Sequence, residues 1–437
     1  MRTDGGAQYE KTEFSSEFLG EHYCRVRHPS GLSVYVFPKK MSTSYALLAT
    51  RYGAADNCFC FEGEKEFVRL PAGVAHFLEH KLFDNPDGSD AIMRLSALGA
   101  DANAYTDYDR TAYLFSATDH VYEALAELVG FVTNPYFTEE TVKKEQGIIA
   151  EEIRMYDDSP WDRCFQQLME SMYTVCGIRK NICGSEQSIA EITDSLLHIC
   201  YRTFYRLSNM ALVVCGDVTP EEVLAVCDRV LPAHAEVSPV VRVEQEEPEA
   251  VGRPYAEVRM QVSKPIFTLG FKDPVLPAGA GERERRYVAM NLLDEAVFSR
   301  AGALYSTLFE EGLLTASYSY SYSNTDRCAF HTVSGEGDDP RLIEARIVSC
   351  LEELAVTGIA PEEVERARRV LYSDELQSYD STEEIANELL SYLFDGADLF
   401  SQPALIQSIT AEEVNALLPT LLRPDCRSLS VVLPMEE

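Results

Sequence analysis

The stretch Ala75-His76-Phe77-Leu78-Glu79-His80-Lys81 holds two histidines four residues apart, with a glutamate three residues after the first. On an α-helix, which turns by about 100° per residue, His76, Glu79 and His80 fall within an arc of roughly 100°. Two imidazoles at this spacing can chelate one zinc ion, and a neighbouring carboxylate can deprotonate a metal-bound water. The order H-x-x-E-H is the inverse of the H-E-x-x-H zinc motif. The alternative interpretation is an exposed helix turn with two surface histidines.

A zinc site with a catalytic role needs a third protein ligand and keeps its fourth position for water. In a later predicted helix, Glu145, Ile148, Ile149 and Glu152 share one face, and the two isoleucines predict that this face is core. A buried, unpaired carboxylate costs several kcal/mol, roughly, so it normally pairs or binds metal. We therefore expect Glu152 to be the ligand, because Glu151 is rotated by roughly 120° from Glu145. Glu145 would orient a ligand or tune the metal; the alternative is that both glutamates extend into solvent.

The composition restricts the class of protein. The chain has 437 residues with 71 acidic and 38 basic side chains, a formal charge of -33, which argues against nucleic acid and against anionic membrane surfaces. Twelve cysteines are scattered without a C-x-x-C pair, and several lie in apolar runs, which predicts reduced, buried thiols. No apolar run reaches about 18 residues, and the N-terminal residues have no apolar segment typical of a signal peptide. We expect a cytoplasmic protein with no membrane span.

The periodicity of the chain predicts two similar series of elements, each of about 200 residues. Residues 1–20 are polar and are expected to be an ill-ordered lead-in, followed by a first domain at 21–231 that carries the histidine helix. Residues 232–254 are rich in proline and acids without apolar periodicity, which predicts a linker, and 255–437 would be the second domain. Because strands and helices are grouped within each series, the pattern favours an α+β fold over alternating βαβ units.

Four separated stretches resemble the pitrilysin/insulinase family of zinc metallopeptidases. Residues 73–80 look like the family's G-x-x-H-x-x-E-H helix. Glu145 and Glu152 reproduce its E-x(6)-E pair, with Glu152 at the ligand position 72 residues after His80. Residues 99–106 are similar to its G-x-x-x-N-A-x-T edge strand, and 204–217 match the end of its first half.

The resemblance implies a fold and a chemistry. The fold would be that of the mitochondrial processing peptidase, with two similar halves around a chamber, each a mostly antiparallel sheet covered on one face by helices. One zinc ion per chain would be bound by the ligands His76, His80 and Glu152. Glu79 would act as general base, and Glu145 would support the catalytic site.

The resemblance also implies a peptide substrate. Residues 102–116 alternate in polarity and predict a hairpin that turns near residues 107–110, which without the resemblance would be an ordinary hairpin. In the family, a peptide adds to this edge as an extra strand, here beside Asn103 and Ala104. The resemblance therefore implies a zinc metalloendopeptidase that hydrolyses peptides or small unfolded polypeptides.

One departure from the family pattern concerns partners. Active members usually carry an arginine followed seven residues later by a tyrosine, and both contact substrate. Tyrosines lie here at 318, 320 and 322, and Tyr318 is the candidate for substrate binding. No arginine lies between Ala301 and Asn324, and Arg327 lies beyond the tyrosines. We hypothesise that a similar subunit, in a homo- or heterodimer, supplies the arginine. The alternative is a maturation or assembly subunit that is active only with a related partner, or inert despite one. A nucleophilic hydrolase is disfavoured, because the sequence has no G-x-S-x-G turn.

Overall fold

The computed structural model describes residues 9–61, 66–233, 240–242 and 246–436. The chain groups into two compact units. The first unit consists of Met1–Ile153, Asn181–Val243 and Ser378–Phe394, and the second of Arg154–Lys180, Glu244–Gln377 and Asp395–Glu437. Each unit therefore includes one segment from the middle of the other unit's stretch of sequence.

The described strands, in chain order, are β1 (Glu10–Ser16), β2 (Glu21–Arg27), β3 (Ser33–Pro38), β4 (Ser44–Thr50), β5 (Cys58–Phe61), β6 (Val68–Arg69), β7 (Asp101–Thr106), β8 (Thr111–Ala117), β9 (Met210–Gly216), β10 (Val240–Arg242), β11 (Tyr255–Met260), β12 (Ile266–Asp273), β13 (Tyr318–Asn324), β14 (Ala329–Glu336) and β15 (Arg427–Pro434). Those up to β10 belong to the first unit, and the others belong to the second.

The described α-helices are α1 (Val74–Lys81), α2 (Ala91–Ala97), α3 (Val121–Thr133), α4 (Glu139–Asp157), α5 (Pro160–Met172), α6 (Glu186–Ile189), α7 (Asp194–Phe204), α8 (Pro220–Val230), α9 (Ala280–Val297), α10 (Ala303–Glu310), α11 (Pro340–Thr357), α12 (Pro361–Ser378), α13 (Thr382–Asp395), α14 (Gln402–Ser408), α15 (Ala411–Asn415) and α16 (Leu418–Leu421). Short 3-10 turns lie at Gly177–Arg179, Leu207–Asn209, Leu399–Ser401 and Pro424–Cys426. None of these helices is both long and apolar enough to cross a membrane.

The first unit is built on a seven-stranded sheet in the order β1-β2-β3-β9-β4-β8-β7. Only β3 and β9 run parallel, and every other pair in it is antiparallel. The central strands β4 and β9 are buried along their whole length. Ala46 and Leu48 of β4 point into the core beneath the helices, whereas Tyr45, on the opposite face, accepts a hydrogen bond from Asn387 of α13. A small second sheet has the order β10-β5-β6.

The second unit repeats this topology. Its five-stranded sheet has the order β11-β15-β12-β14-β13, with β11 and β15 parallel and the remaining pairs antiparallel. This order and these directions match those of β3-β9-β4-β8-β7 strand for strand. The predicted α+β fold of two similar halves, each a mostly antiparallel sheet covered on one face by helices, is confirmed.

Each sheet also carries one helix on its other face, and that helix comes from the other half of the sequence. In the second unit, α5 lies on β12 and β15, where Gln167 donates a hydrogen bond to Ser430 Oγ at 2.9 Å. Gly270 of β12 permits this approach, because a Cβ there would lie 2.3 Å from Met172 Sδ. In the first unit, the end of α13 is bound by Arg51, which donates to Leu393 O, and by Arg110, which donates to Ser391 Oγ. The two halves therefore exchange corresponding helices.

Two expectations about the connecting segments need correction. Glu10–Ser16 forms β1 and pairs with β2 along its full length, so the expectation of an ill-ordered lead-in was wrong for these residues. Polar residues suit β1 because an edge strand is held by main-chain hydrogen bonds and faces solvent. In the expected linker, residues 240–242 form β10. Residues 1–8 of the expected lead-in, and residues 234–239 and 243–245 of the expected linker, lie outside the described residues. The boundaries 21–231 and 255–437 remain a proposal.

The N-terminus of α1 is fixed by a close crossing with the loop at residues 181–185. Gly73, the residue before the helix, has φ +88°, and a Cβ there would lie 2.4 Å from Cys183 O. Gly184 has φ +80°, and its Cβ would lie 2.5 Å from Ala72 O. Ser188 Oγ donates to the same carbonyl at 2.8 Å. Because α1 has only eight residues, it depends on this packing for its stability.

We predict that Gly73→Ala destabilises the first unit by about 2–4 kcal/mol, because it adds left-handed strain to a backbone clash. Calorimetric unfolding and hydrogen exchange at residues 72–81 measure the effect. The matched control is Gly147→Ala, at a helical position where a Cβ meets nothing within 4 Å. That change should stabilise by about 0.5–1 kcal/mol, and equal effects of the two variants would contradict the account of the crossing.

Candidate metal centre

The two histidines lie on helix α1, most of which is buried. Seven of its eight residues are buried, and His80 is partly exposed. The imidazole rings of His76 and His80 lie next to each other, with centroids 4.5 Å apart and ring planes tilted by 58°. This arrangement follows from the i, i+4 spacing, which puts both rings on one side of the helix.

Helix α4 brings a carboxylate to the same point. Glu152 Oε1 lies 3.6 Å from His76 Nε2, and Oε2 lies 3.5 Å from His80 Nε2. One donor atom from each residue lies within 4.8 Å of the others, and within the described residues this is the one group of three such donors found. Two imidazoles and a carboxylate form a donor set that suits zinc and related divalent metals. The structure thus brings together the three residues nominated as ligands.

The sequence argument for α4 was partly wrong. Ile148, expected in the core, is 47% exposed, whereas Ile149 is fully buried. The buried stripe is centred on Ile149, with Val142 and Ile153 close to its axis. At about 100° per residue, Glu152 lies roughly 60° from that centre and Ile148 roughly 100° from it. Glu152 is therefore at the border of the buried face, where a side chain can reach His76 and His80 and also remain partly accessible.

Glu145 lies beneath the centre and orients one histidine. Its Oε1 lies 3.0 Å from His80 Nδ1, so a proton on Nδ1 leaves Nε2 free to bind a metal. Glu145 Oε2 lies 3.9 Å from Nζ of Lys81, which is fully buried and also pairs with Asp84. A buried lysine is costly unless it is paired, and here its charge offsets those of two carboxylates. Glu145 thus contacts His80 and Lys81, and its two oxygens are directed to these partners.

Glu79 has its own anchor. The side chain is 7% exposed, and Thr106 Oγ1 donates a hydrogen bond of 2.5 Å to Glu79 Oε2. Burial raises the pKa of Glu79 above its ordinary value, although His76 and the Thr106 hydrogen bond partly oppose this. A carboxylate with a raised pKa and one oxygen held in place is suited to accept a proton.

Charge within the centre also shifts the pKa values of two of the residues nominated as ligands. Burial lowers the pKa of His80, but the hydrogen bond to Glu145 and three nearby carboxylates outweigh it, so the net pKa is raised. The contact with His76 holds the pKa of Glu152 below its ordinary value. These shifts favour the ionised form of Glu152 and the protonated form of His80. A divalent cation between them would replace that proton.

The residues nominated for substrate binding lie in different units. Asn103 and Ala104 are on β7, which among the described strands pairs only with β8 and leaves its other edge open. Thr106, at the end of this strand, contacts Glu79. The Ala104 N–H donates to Asn103 Oδ1 at 2.9 Å. Tyr318 belongs to the second unit, on edge strand β13, where its ring packs against Tyr305 at 5.1 Å. Burial raises the pKa of Tyr318, so its hydroxyl is neutral.

Sequence analysis gave no role to three residues that contact this centre. Thr106 was noted only as part of a motif, and Lys81 only as the residue after His80. Cys183 Sγ lies 3.9 Å from His76 Nε2. A lysine directly after a histidine nominated as ligand is visible in the sequence, but nothing in the pattern around Cys183 places it beside α1.

Comparisons with known families place the chain in a class. Residues 70–185 match the family described as Insulinase (Peptidase family M16), and residues 191–371 match the family described as Peptidase M16 inactive domain. The chain belongs to the insulinase family, peptidase family M16, and the resemblance seen in the sequence is confirmed.

Individual relatives cover almost the whole chain. The uncharacterized zinc protease YmfH of Bacillus subtilis (strain 168) is 37% identical over 96% of this chain and 98% of its own length. The uncharacterized zinc protease SCO5738 of Streptomyces coelicolor is 26% identical, covering 86% of this chain and 83% of that protein. The crystal structure of an M16-like peptidase from Alicyclobacillus acidocaldarius has a TM-score of 0.89 and 32% identity, covering 98% of this chain and 99% of that one.

Three glutamates of α4 provide a test of the centre. We predict that Glu145→Gln weakens metal affinity by about 10–100-fold, because His80 loses its orienting acceptor. Glu152→Gln removes a donor and should weaken affinity more strongly, by over about 100-fold. A chelator competition titration with zinc or cobalt measures both.

The matched control is Glu151→Gln, since Glu151 is exposed on the same helix. Its affinity should stay within about twofold of the parent protein, in line with an exposed position. Far-UV circular dichroism checks that all three variants fold. A Glu151 variant as weak as the Glu152 variant would mean that the ligand had been wrongly assigned.

Proposed function

We propose that the chain is a zinc-dependent endopeptidase that hydrolyses peptides or small unfolded polypeptides. The observation that carries the proposal is the convergence of His76, His80 and Glu152, with Glu79 beside them on the same helix. Zinc is the proposed metal, one ion per chain, because the donor set suits it and because relatives such as YmfH are named zinc proteases. Neither a side-chain nucleophile nor an organic cofactor is needed for this chemistry.

The mechanism assigns a task to each side chain. His76, His80 and Glu152 would hold the metal, which when bound would lower the pKa of a water and polarise a carbonyl group. Glu79 accepts the water proton and later delivers it to the leaving amine. Thr106 holds Oε2 of Glu79, so the other oxygen is left to exchange the proton. The raised pKa of Glu79 brings it closer to neutral pH, which suits a group that must both take and return a proton.

The open edge of β7 supports a peptide as substrate. A peptide added as a further strand would pair with the main chain beside Asn103 and Ala104, and main-chain bonds accept most sequences. For the Ala104 N–H to pair with such a peptide, the Asn103 side chain must release it. Since Thr106 ends the same strand and contacts Glu79, a peptide on this edge would run toward the general base.

We predict that Glu79→Gln keeps the metal and loses about 10²–10⁴-fold in turnover, because the amide cannot accept the proton. Metal content by atomic absorption and cleavage of a mixed peptide pool, followed by mass spectrometry, give the two measurements. Glu151→Gln is the matched control, since it makes the same change of a carboxylate to an amide at an exposed position of α4. Turnover by Glu79→Gln equal to that of the parent would refute the role of Glu79.

A second candidate function is favoured by the missing arginine. No arginine lies between Ala301 and Asn324, the segment that includes α10 and most of β13. We propose as the alternative that the chain is a maturation or assembly subunit that acts in a homo- or heterodimer, with a related partner chain supplying that arginine. Tyr318 would then take part in substrate contact only in the assembled pair.

The twelve cysteines are all free and nine are buried, in line with a reducing, cytoplasmic location.

We predict that, on this alternative, the purified chain binds zinc but cleaves peptides at least about 10²-fold faster after a related partner chain is added. Light scattering reports the assembly, and the peptide-pool assay reports cleavage. The matched control is the same partner with the arginine at the corresponding position changed to lysine. Full cleavage by a monomer of the chain alone would eliminate the need for a partner.

A further inference from the structure

One thiol lies against the candidate metal centre. Cys183 Sγ is 3.9 Å from Nε2 of His76, and the two residues are 5% and 7% exposed. Nε2 is also the nitrogen that faces Glu152. The sulfur is therefore next to the atom through which His76 would bind a metal.

The loop that carries this thiol is held in place on α1. The close crossing of Gly73 and Gly184 joins the loop to the start of the helix, and Ser188 adds a hydrogen bond to Ala72 O. The Cys183 N–H donates to Asn181 Oδ1 at 2.9 Å, which fixes the backbone at the cysteine itself. Since His76 lies in the first turn of α1, the sulfur and the imidazole are positioned by one rigid piece of structure.

The distance is close to that expected for two ligands of one ion. With bonds of about 2.0 Å to nitrogen and 2.3 Å to sulfur, two donors of a tetrahedral zinc are about 3.5 Å apart. The sulfur lies outside the group formed by the three other donors, so the Cys183 side chain would have to rotate toward them to reach the ion. The structure thus describes an open arrangement of three donors with a fourth, softer donor beside it.

We propose that Cys183 is a conditional fourth ligand, whose sulfur closes the metal centre in a resting state. Coordination displaces one water and releases the thiol proton to solvent, with no change of oxidation state. In the closed state no position remains for the attacking water, and the centre is catalytically silent until the sulfur leaves. The inference deepens the proposed function and rests on it, because it presupposes the metal site.

A sulfur ligand also affects which metals bind. Thiolates favour zinc and cobalt over hard ions such as magnesium or manganese. Cobalt is the useful probe, since a thiolate bound to Co²⁺ produces a charge-transfer absorption in the near ultraviolet that nitrogen and oxygen ligands do not produce. The readout is therefore independent of peptide cleavage.

The experiment loads the full chain with one equivalent of Co²⁺ alone and records its absorption. We expect a thiolate-to-cobalt band in the parent protein and its loss in Cys183→Ser, with about one cobalt still bound per chain. Cys58→Ser, at a half-buried cysteine on β5, is the matched control and should retain the band. Cys183→Ala serves as a second variant if the serine variant does not fold.

Each other outcome has a definite meaning. Cobalt bound by the parent protein without a thiolate band overturns this inference and leaves the proposed function standing. A band that persists in both Cys183 variants assigns the sulfur to another cysteine and also overturns the inference. No cobalt bound by the folded parent protein removes the metal site, and with it the proposed function as well. Protection of Cys183 from iodoacetamide by Co²⁺, mapped by mass spectrometry, would support the inference without any variant.

Discussion

The rest of the centre depends on how ionisable groups are compensated beneath α1. His76, Glu79, Lys81 and Glu145 are each more than nine-tenths buried, and a buried charge without a partner costs several kcal/mol, roughly. Most of these groups are paired inside the chain: Lys81 lies between Asp84 and Glu145, Glu145 orients His80, and Thr106 donates to Glu79. What remains is two ring nitrogens and the carboxylate of Glu152 facing one point. These three groups form a donor set that suits a divalent cation.

The local parts of this arrangement could be predicted from the sequence. The spacing of His76, Glu79 and His80 places them together on any helix, and the seven-residue spacing of Glu145 and Glu152 does the same on a second one. The two series of strands and helices could be predicted for the same reason, because apolar residues repeat every 2 residues in a strand and every 3.6 in a helix within a short stretch of sequence. The repeated sheet order in the two units agrees with that prediction.

The parts that could not be predicted depend on contacts distant in sequence. Residue counting put Ile148 in the core, but the axis of the buried stripe of α4 is set by what packs on it. Cys183 is 107 residues from His76, and only the crossing at Gly73 brings them together. The strand β1 was missed because an exposed edge strand needs few apolar residues, and its stability comes from its partner.

The exchange of α5 and α13 has a consequence for how the chain is made. Most of the first compact unit precedes residue 243 and is synthesised well before residues 378–394, which belong to the same unit. The first unit therefore cannot complete its fold until residues 378–394 have been synthesised. Until then, one face of its sheet lacks α13. If the gene were divided between the two series, each product would lack a helix that lies on its sheet. The two halves therefore have to be encoded in one chain.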